Sequence, residues 1–185
     1  MPFLRHAVAI VFVVALSLHS ACAAEVPVAP EVNPPGDIPD SQVFVTYRSP
    51  DGYSLKVPEG WARASANGQV SFSDKYNTIT IGFLAAPHAA IDRIRTELVP
   101  QIAGGPHAAK LDKVRVIKIK NNDALQIDYT VNSELNAVTG KQIRLEAERT
   151  YYPAGDMVLV LDLTAPQGAD NTDQWTLISR SVRLK

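Results

Sequence analysis

The chain has 185 residues, 46% of them hydrophobic and 20% charged, and a formal net charge of −1. This is the composition of one globular domain with additions, and its near-neutral charge gives no broad attraction to nucleic acid or anionic lipid. Cys22 is the only cysteine, so no intramolecular disulfide is available and the core must hold the fold by itself.

Residues 1–24 read as a secretory signal peptide. Arg5 supplies the positive start, Ala7 to Leu18 is apolar apart from Ser17, and small residues follow in HSACAAE. The run is too short for a comfortable membrane span. Two kinds of processing fit. Ala21-Cys22-Ala23 and Cys22-Ala23-Ala24 suit ordinary signal peptidase; Ser20-Ala21 before Cys22 suits lipidation of that cysteine, with Leu18 one position further away than the usual lipobox leucine. The expectation is a periplasmic or secreted protein that touches a membrane only through an anchor at Cys22. Residues 25–41 contain five prolines and no periodicity, which predicts a semi-extended linker or a disordered terminus. Residues 42–185 are left as the folded domain.

Within that domain, Val43, Val45 and Tyr47 alternate and lead into the turn SPDG, where Pro50 presets φ and Gly52 closes the turn. Tyr53, Leu55 and Val57 form the inward side of the next strand, PEG makes a second turn, and Trp61 follows at the corner, where it is expected to pack on the core. QVSFS and TITIGFLAA form a hairpin around DKYN. Ile91, Ile94, Leu98 and Ile102 keep helical spacing, and Gly104-Gly105-Pro106 ends that helix. Four strands come next. KVRVIKIK alternates. ALQIDYTV directs Leu125, Ile127, Tyr129 and Val131 inward, and QIRLEAERTYY directs Ile143, Leu145 and Ala147 inward and Arg144, Glu146 and Glu148 outward. Met157 to Leu161 is apolar on both sides, the pattern of a central strand. Asn171 or Thr172 caps a closing helix striped by Trp175, Ile178 and Val182. Hairpin connections imply an antiparallel sheet, and two amphipathic helices suffice to cover it. The fold class is α+β, an antiparallel sheet sandwiched by helices.

Catalytic and metal motifs are scarce. His88 and His107 are the two histidines outside the leader, each beside a proline in a loop, and both are expected to be solvated. Glu146 and Glu148 share a strand face and are placed to chelate a hard cation; the competing reading is a solvated face neutralised by Lys141, Arg144 and cross-strand bases. No GxxxxGK, GxGxxG, GxSxG or HExxH is present. Lys110 to Lys120 holds five bases against one acid. Lys113, Arg115, Lys118 and Lys120 form a candidate face for an acidic partner. The face carries no aromatics for stacking on nucleic acid, and edge protection by lysine is the competing account.

Taken together, YRSPDGYSLKVPEGW, NDALQIDYTV, RTYYPAGDMVLVLDLTAP and DQWTLISRSVRL resemble, in that order, the PsbP-like and Mog1-like superfamily over residues 43–184. The resemblance implies the superfamily's layered α/β/α fold and a role shared by most members: accessory or binding proteins with no catalytic site and no cofactor. The basic N-terminal tail suited to photosystem docking is replaced here by an acidic, Pro-rich segment. The function expected is therefore a monomeric, non-catalytic envelope protein that binds or stabilises another protein. The alternative is a periplasmic carrier of a small molecule or metal.

Overall fold

The computed structural model describes residues 24–32, 35–86 and 88–185. Cys22 and the expected signal peptide, apart from its last residue Ala24, lie outside the described residues. The chain opens with an antiparallel hairpin, β1 (Phe44–Arg48) and β2 (Tyr53–Pro58), joined by SPDG. The Ser49 hydroxyl accepts the Asp51 N–H, and Gly52 takes φ +93°, a value that favours glycine. Strands β3 (Ala62–Ala66), β4 (Gln69–Asp74) and β5 (Asn77–Ala85) form a meander. The β4–β5 connection is tighter than DKYN implies: Asp74 pairs with Asn77, leaving Lys75 and Tyr76 as the turn.

The helix expected over residues 91–102 is two short helices, α1 (Ile91–Glu97) and α2 (Val99–Ala103). Pro100 explains the break. It has no N–H to donate into a continuing ladder, but it is tolerated in the first turn of a new helix. The apolar stripe survives the break, with Ile94, Val99 and Ile102 all buried.

Strands β6 (Lys110–Ile119), β7 (Asn122–Asn132), β8 (Arg144–Ala154) and β9 (Met157–Pro166) return as a second meander, and β9 docks against β5. The result is one antiparallel seven-stranded sheet in the order β3-β4-β5-β9-β8-β7-β6. As its two-sided apolar pattern predicts, β9 is the middle strand, with Val158, Leu159, Leu161, Leu163 and Ala165 buried. Helix α3 (Thr172–Ser181) and the short β10 (Arg183–Leu184) close the chain, and β10 joins β2 and β1 in a separate three-stranded sheet.

Two apolar clusters lie on the two faces of the large sheet. On one face α1 and α2 cover Leu125, Ile127, Tyr129, Ala147, Tyr151 and Val158. On the other, α3 and the hairpin residues Tyr53, Leu55 and Val57 cover Val70, Phe72, Ile81, Leu159 and Leu161. This second layer is part sheet and part helix, so the helix cover expected on this face is only partial. Each fully buried Leu or Ile contributes about 1.5–3 kcal/mol, and Ile178 and Val182 bring α3 into this core. Trp61 packs against the same cluster, partly buried at its corner.

The expected linker is a strap. Ile38 is buried, and its N–H donates to Asn171 Oδ1 at 2.7 Å. The Gly36 carbonyl accepts from Asn77 and Asn171, and a Cβ at Gly36 would come within 2.7 Å of Pro166. Further back, Asn132 accepts the Val28 N–H and donates to Glu25 and to the Val26 carbonyl. Proline-rich chain has few backbone donors of its own, and here three asparagine side chains satisfy the groups it does present.

Candidate functional site

The structure divides the four candidate cations. Strand β6 is the edge of the seven-stranded sheet. Lys113 and Arg115 oppose Asp128 and Gln126 and share their face; Lys118 opposes Asp123 and points to the other face; Lys120 lies beyond the strand in a turn with φ +56°. A register shift between Leu111 and Lys113 resets the alternation along this strand. The single flat basic face is thus corrected to an edge with cations on both sides. Lys113, Lys118 and Lys120 are exposed, while Lys118 reaches Asp123 at 2.7 Å in a surface pair that contributes little. Arg115 turns inward.

The inward turn of Arg115 opens the main departure from the sequence reading. The polar side of β7 and β8 is not a solvated face. Gln126, Thr130, Arg144, Glu148 and Thr150 are buried on it, because α3 lies across it. Arg115 pairs with Asp128, donates from Nε to Gln126 Oε1 at 3.0 Å, and approaches Glu148 Oε2 at 3.5 Å. Around this network is a cavity of about 340 Å³, walled by the three strands on one side and by Thr172, Trp175 and Thr176 of α3 on the other. Four carboxyl groups reach it, those of Asp112, Asp128, Glu146 and Glu148.

Their environments differ. Glu148 is 8% exposed, and its Oε1 is buried without a hydrogen-bond partner. Burial first, and the Asp128 charge second, push its carboxyl up to about 7, against the pull of Arg115. Burial also raises Glu146, although the Gly168 N–H donated to it works the other way. The two glutamates singled out from the sequence therefore belong to a site, but one built under a helix. The overlooked members are Asp112 and Asp128 from neighbouring strands. The signal available for them was the C-terminal apolar stripe, which needs a sheet face to cover.

A second cleft, about 420 Å³, lies on the opposite face beside the α1–α2 break and is lined by Leu98, Gln101, Thr80, Arg149 and Asp162 among others. Arg149 pairs with Asp162 and stacks over the Tyr129 ring at 5.6 Å, and the Tyr129 hydroxyl donates to Asp162 at 2.9 Å. Burial works against the Arg149 charge, but Asp162 outweighs it and holds the guanidinium above its ordinary pKa. Burial pushes the Tyr129 phenol up as well, with Asp162 adding to the effect.

The histidines stay apart. The His88 side chain is 90% exposed, as expected. His107 departs from expectation: it is partly buried, 3.3 Å from Glu25 and 3.0 Å from Glu134, because the strap places Glu25 beside it. Hydrogen bonds from Asn132 and Gln142 hold the Glu25 carboxyl below its usual range. Among the described residues, no group of three or more His, Cys, Asp or Glu side chains is arranged to hold a metal ion.

No protein-family model and no curated protein matches the sequence. Solved structures do match. A cyanobacterial PsbP from Synechocystis sp. PCC 6803 superposes with a TM-score of 0.56 at 13% identity, over 81% of this chain and 98% of that one. A protein from Bacteroides thetaiotaomicron gives 0.53 at 16% identity over 76% of this chain and 48% of that one, so this chain spans about half its length. The Saccharomyces cerevisiae Ran-binding protein Mog1p gives 0.51 at 8% identity, over 78% and 96%. At such identities the likeness is one of fold. The chain has the PsbP/Mog1-like fold.

Proposed function

We propose that this chain is a non-catalytic accessory protein of the cell envelope that binds and stabilises another protein. One observation carries the reading: among the described residues the ten-residue strand β6 has no strand paired on its outer side, and exposed Lys113 and Lys118 on it and Lys120 in the turn after it surround that edge. Lysines along a free edge discourage a foreign strand from adding to the sheet. They leave the edge open to an acidic surface that docks through side chains. The leader-like residues 1–24 support export, and a fold shared with a protein named for binding Ran supports a binding role. Charge reversal tests the reading. Lys118→Glu with Lys120→Glu is expected to leave the melting temperature almost unchanged and to slow association with the partner, most strongly at low salt. Unchanged binding at every salt concentration contradicts it. A second reading, a small-molecule carrier, is favoured by one feature, the acidic cavity under α3.

A further inference from the structure

The cavity beneath α3 carries more negative charge than its own residues neutralise. Four carboxyl groups line it against one guanidinium, Arg115. That guanidinium is already engaged by Asp128, Gln126 and Glu148. Arg144, behind Thr130, donates to Thr130, Asn132 and the Ala108 carbonyl, and its charge offsets that of Asp112, which leaves Glu146 and Glu148 without a cation of their own beyond the shared Arg115. Lys113 holds the register position opposite Asp128 but is exposed. Glu146 receives the Gly168 N–H at 3.2 Å and is faced by Asp170, another acid. The α3 residues on the cavity wall are uncharged.

Independently of this excess, Glu148 has a side chain only 10% exposed, and one of its oxygens makes no direct hydrogen bond, although Gln126 and Ser179 lie close enough to favour its charge. A buried acceptor left empty is costly, and a native protein seldom keeps one without a use. A bare metal ion suits the cavity poorly, because no three acidic or histidine ligands converge among the described residues and hard cations demand many oxygens at short range. A group with several N–H donors and a spread charge suits it better. Trp175 on the wall adds an aromatic surface that attracts such cations.

The geometry points to an organic cation: the cavity under α3 binds an ammonium or guanidinium group, received by Glu148 and Asp128 with Trp175 as its aromatic wall. The group belongs either to a free amine or to a basic side chain of a bound protein. This rests on the carrier reading of the cavity and not on β6, so failure of docking at β6 leaves it standing. A cation favours ionised Glu148, whose carboxyl sits near 7 when the cavity is empty. Binding therefore releases a proton and weakens as the pH falls through that value.

The test is calorimetric titration of the full chain, at low and constant ionic strength, with putrescine, spermidine, and the N-acetyl amides of lysine and arginine, and with Ca²⁺ for contrast. Saturable binding is expected, weaker by about tenfold at pH 6 than at pH 8. A loss of about tenfold or more is expected in Glu148→Gln and in Asp128→Asn, with far-UV circular dichroism confirming that each variant is folded. Tighter binding of the free amines marks a carrier of small amines, and tighter binding of the amino-acid amides marks a pocket for a partner's side chain. No saturable binding of any amine at 10-fold above about 1 mM, affinities unmoved in both folded variants, or binding of Ca²⁺ alone overturns the inference.

Discussion

Glu148 shows how far one residue's chemistry depends on what covers it. On an open strand it would be an ordinary carboxylate. Under α3, burial and Asp128 raise its carboxyl to about 7 from its ordinary 4.5. Between those two values the native state keeps a proton that the unfolded chain has released, so stability falls as pH rises from about 4.5 to about 7 and stays low above it. The contribution of this one group is about 3 kcal/mol at most. Burial of Glu146 acts in the same direction. Replacing Glu148 by Gln is expected to flatten most of this dependence and leave a smaller slope from Glu146. Urea midpoints at pH 5 and pH 8 measure it, and an unchanged difference in the variant would refute the assignment. Nothing in the sequence marks Glu148 as buried. Its pattern, Arg144-Leu145-Glu146-Ala147-Glu148, is the alternation of a half-solvated strand, and only a distant helix turns its polar side inward.

At the scale of elements, local signals were legible where they were short-range. The SPDG turn, the β4–β5 hairpin, the inward residues of β2 and the central position of β9 follow from alternation and turn chemistry alone. Pro100 marks the break, but the apolar stripe of Ile94, Leu98 and Ile102 runs across it without interruption and has the period of a single helix. The strap was not legible, because proline-rich chain without periodicity looks the same whether it is free or pinned. Its order comes from Asn77, Asn132 and Asn171, which lie far away in sequence. Asn171 stands at the N-cap of α3 but makes no side-chain cap; its amide holds Gly36 and Ile38 instead. Asn171→Ala should therefore leave the Ile38 N–H unpaired, with the Gly36 carbonyl still held by Asn77, and cost about 1–3 kcal/mol. It should also open residues 35–41 to limited proteolysis while α3 stays folded. Equal protection of the Ile38 amide in hydrogen exchange for variant and wild type would show that the strap is held by other means.

On the scale of the whole molecule, the sheet separates three surfaces: a helix-covered face with the Arg149–Asp162 cleft, an α3-covered face with the acidic cavity, and the open edge at β6. The fold class was legible because hairpin order and helix stripes together leave few ways to bury both faces. The composition of the second layer was not, since β10 is two residues long and pairs with a strand far earlier in the chain, Arg183 opposite Ser54 and Leu184 opposite Tyr53. The docking proposed here runs along β6, where the molecule would meet a partner protein. Site-specific photocrosslinking tests it most directly, with the photoreactive residue placed at Val116, which is 45% exposed on that edge, and separately at Ala64 on the opposite edge strand β3. Docking along β6 should give a defined adduct with one envelope protein from position 116 that fades as salt is raised, and none from position 64. Adducts of equal yield from both edges, or an adduct from position 64 alone, would contradict it.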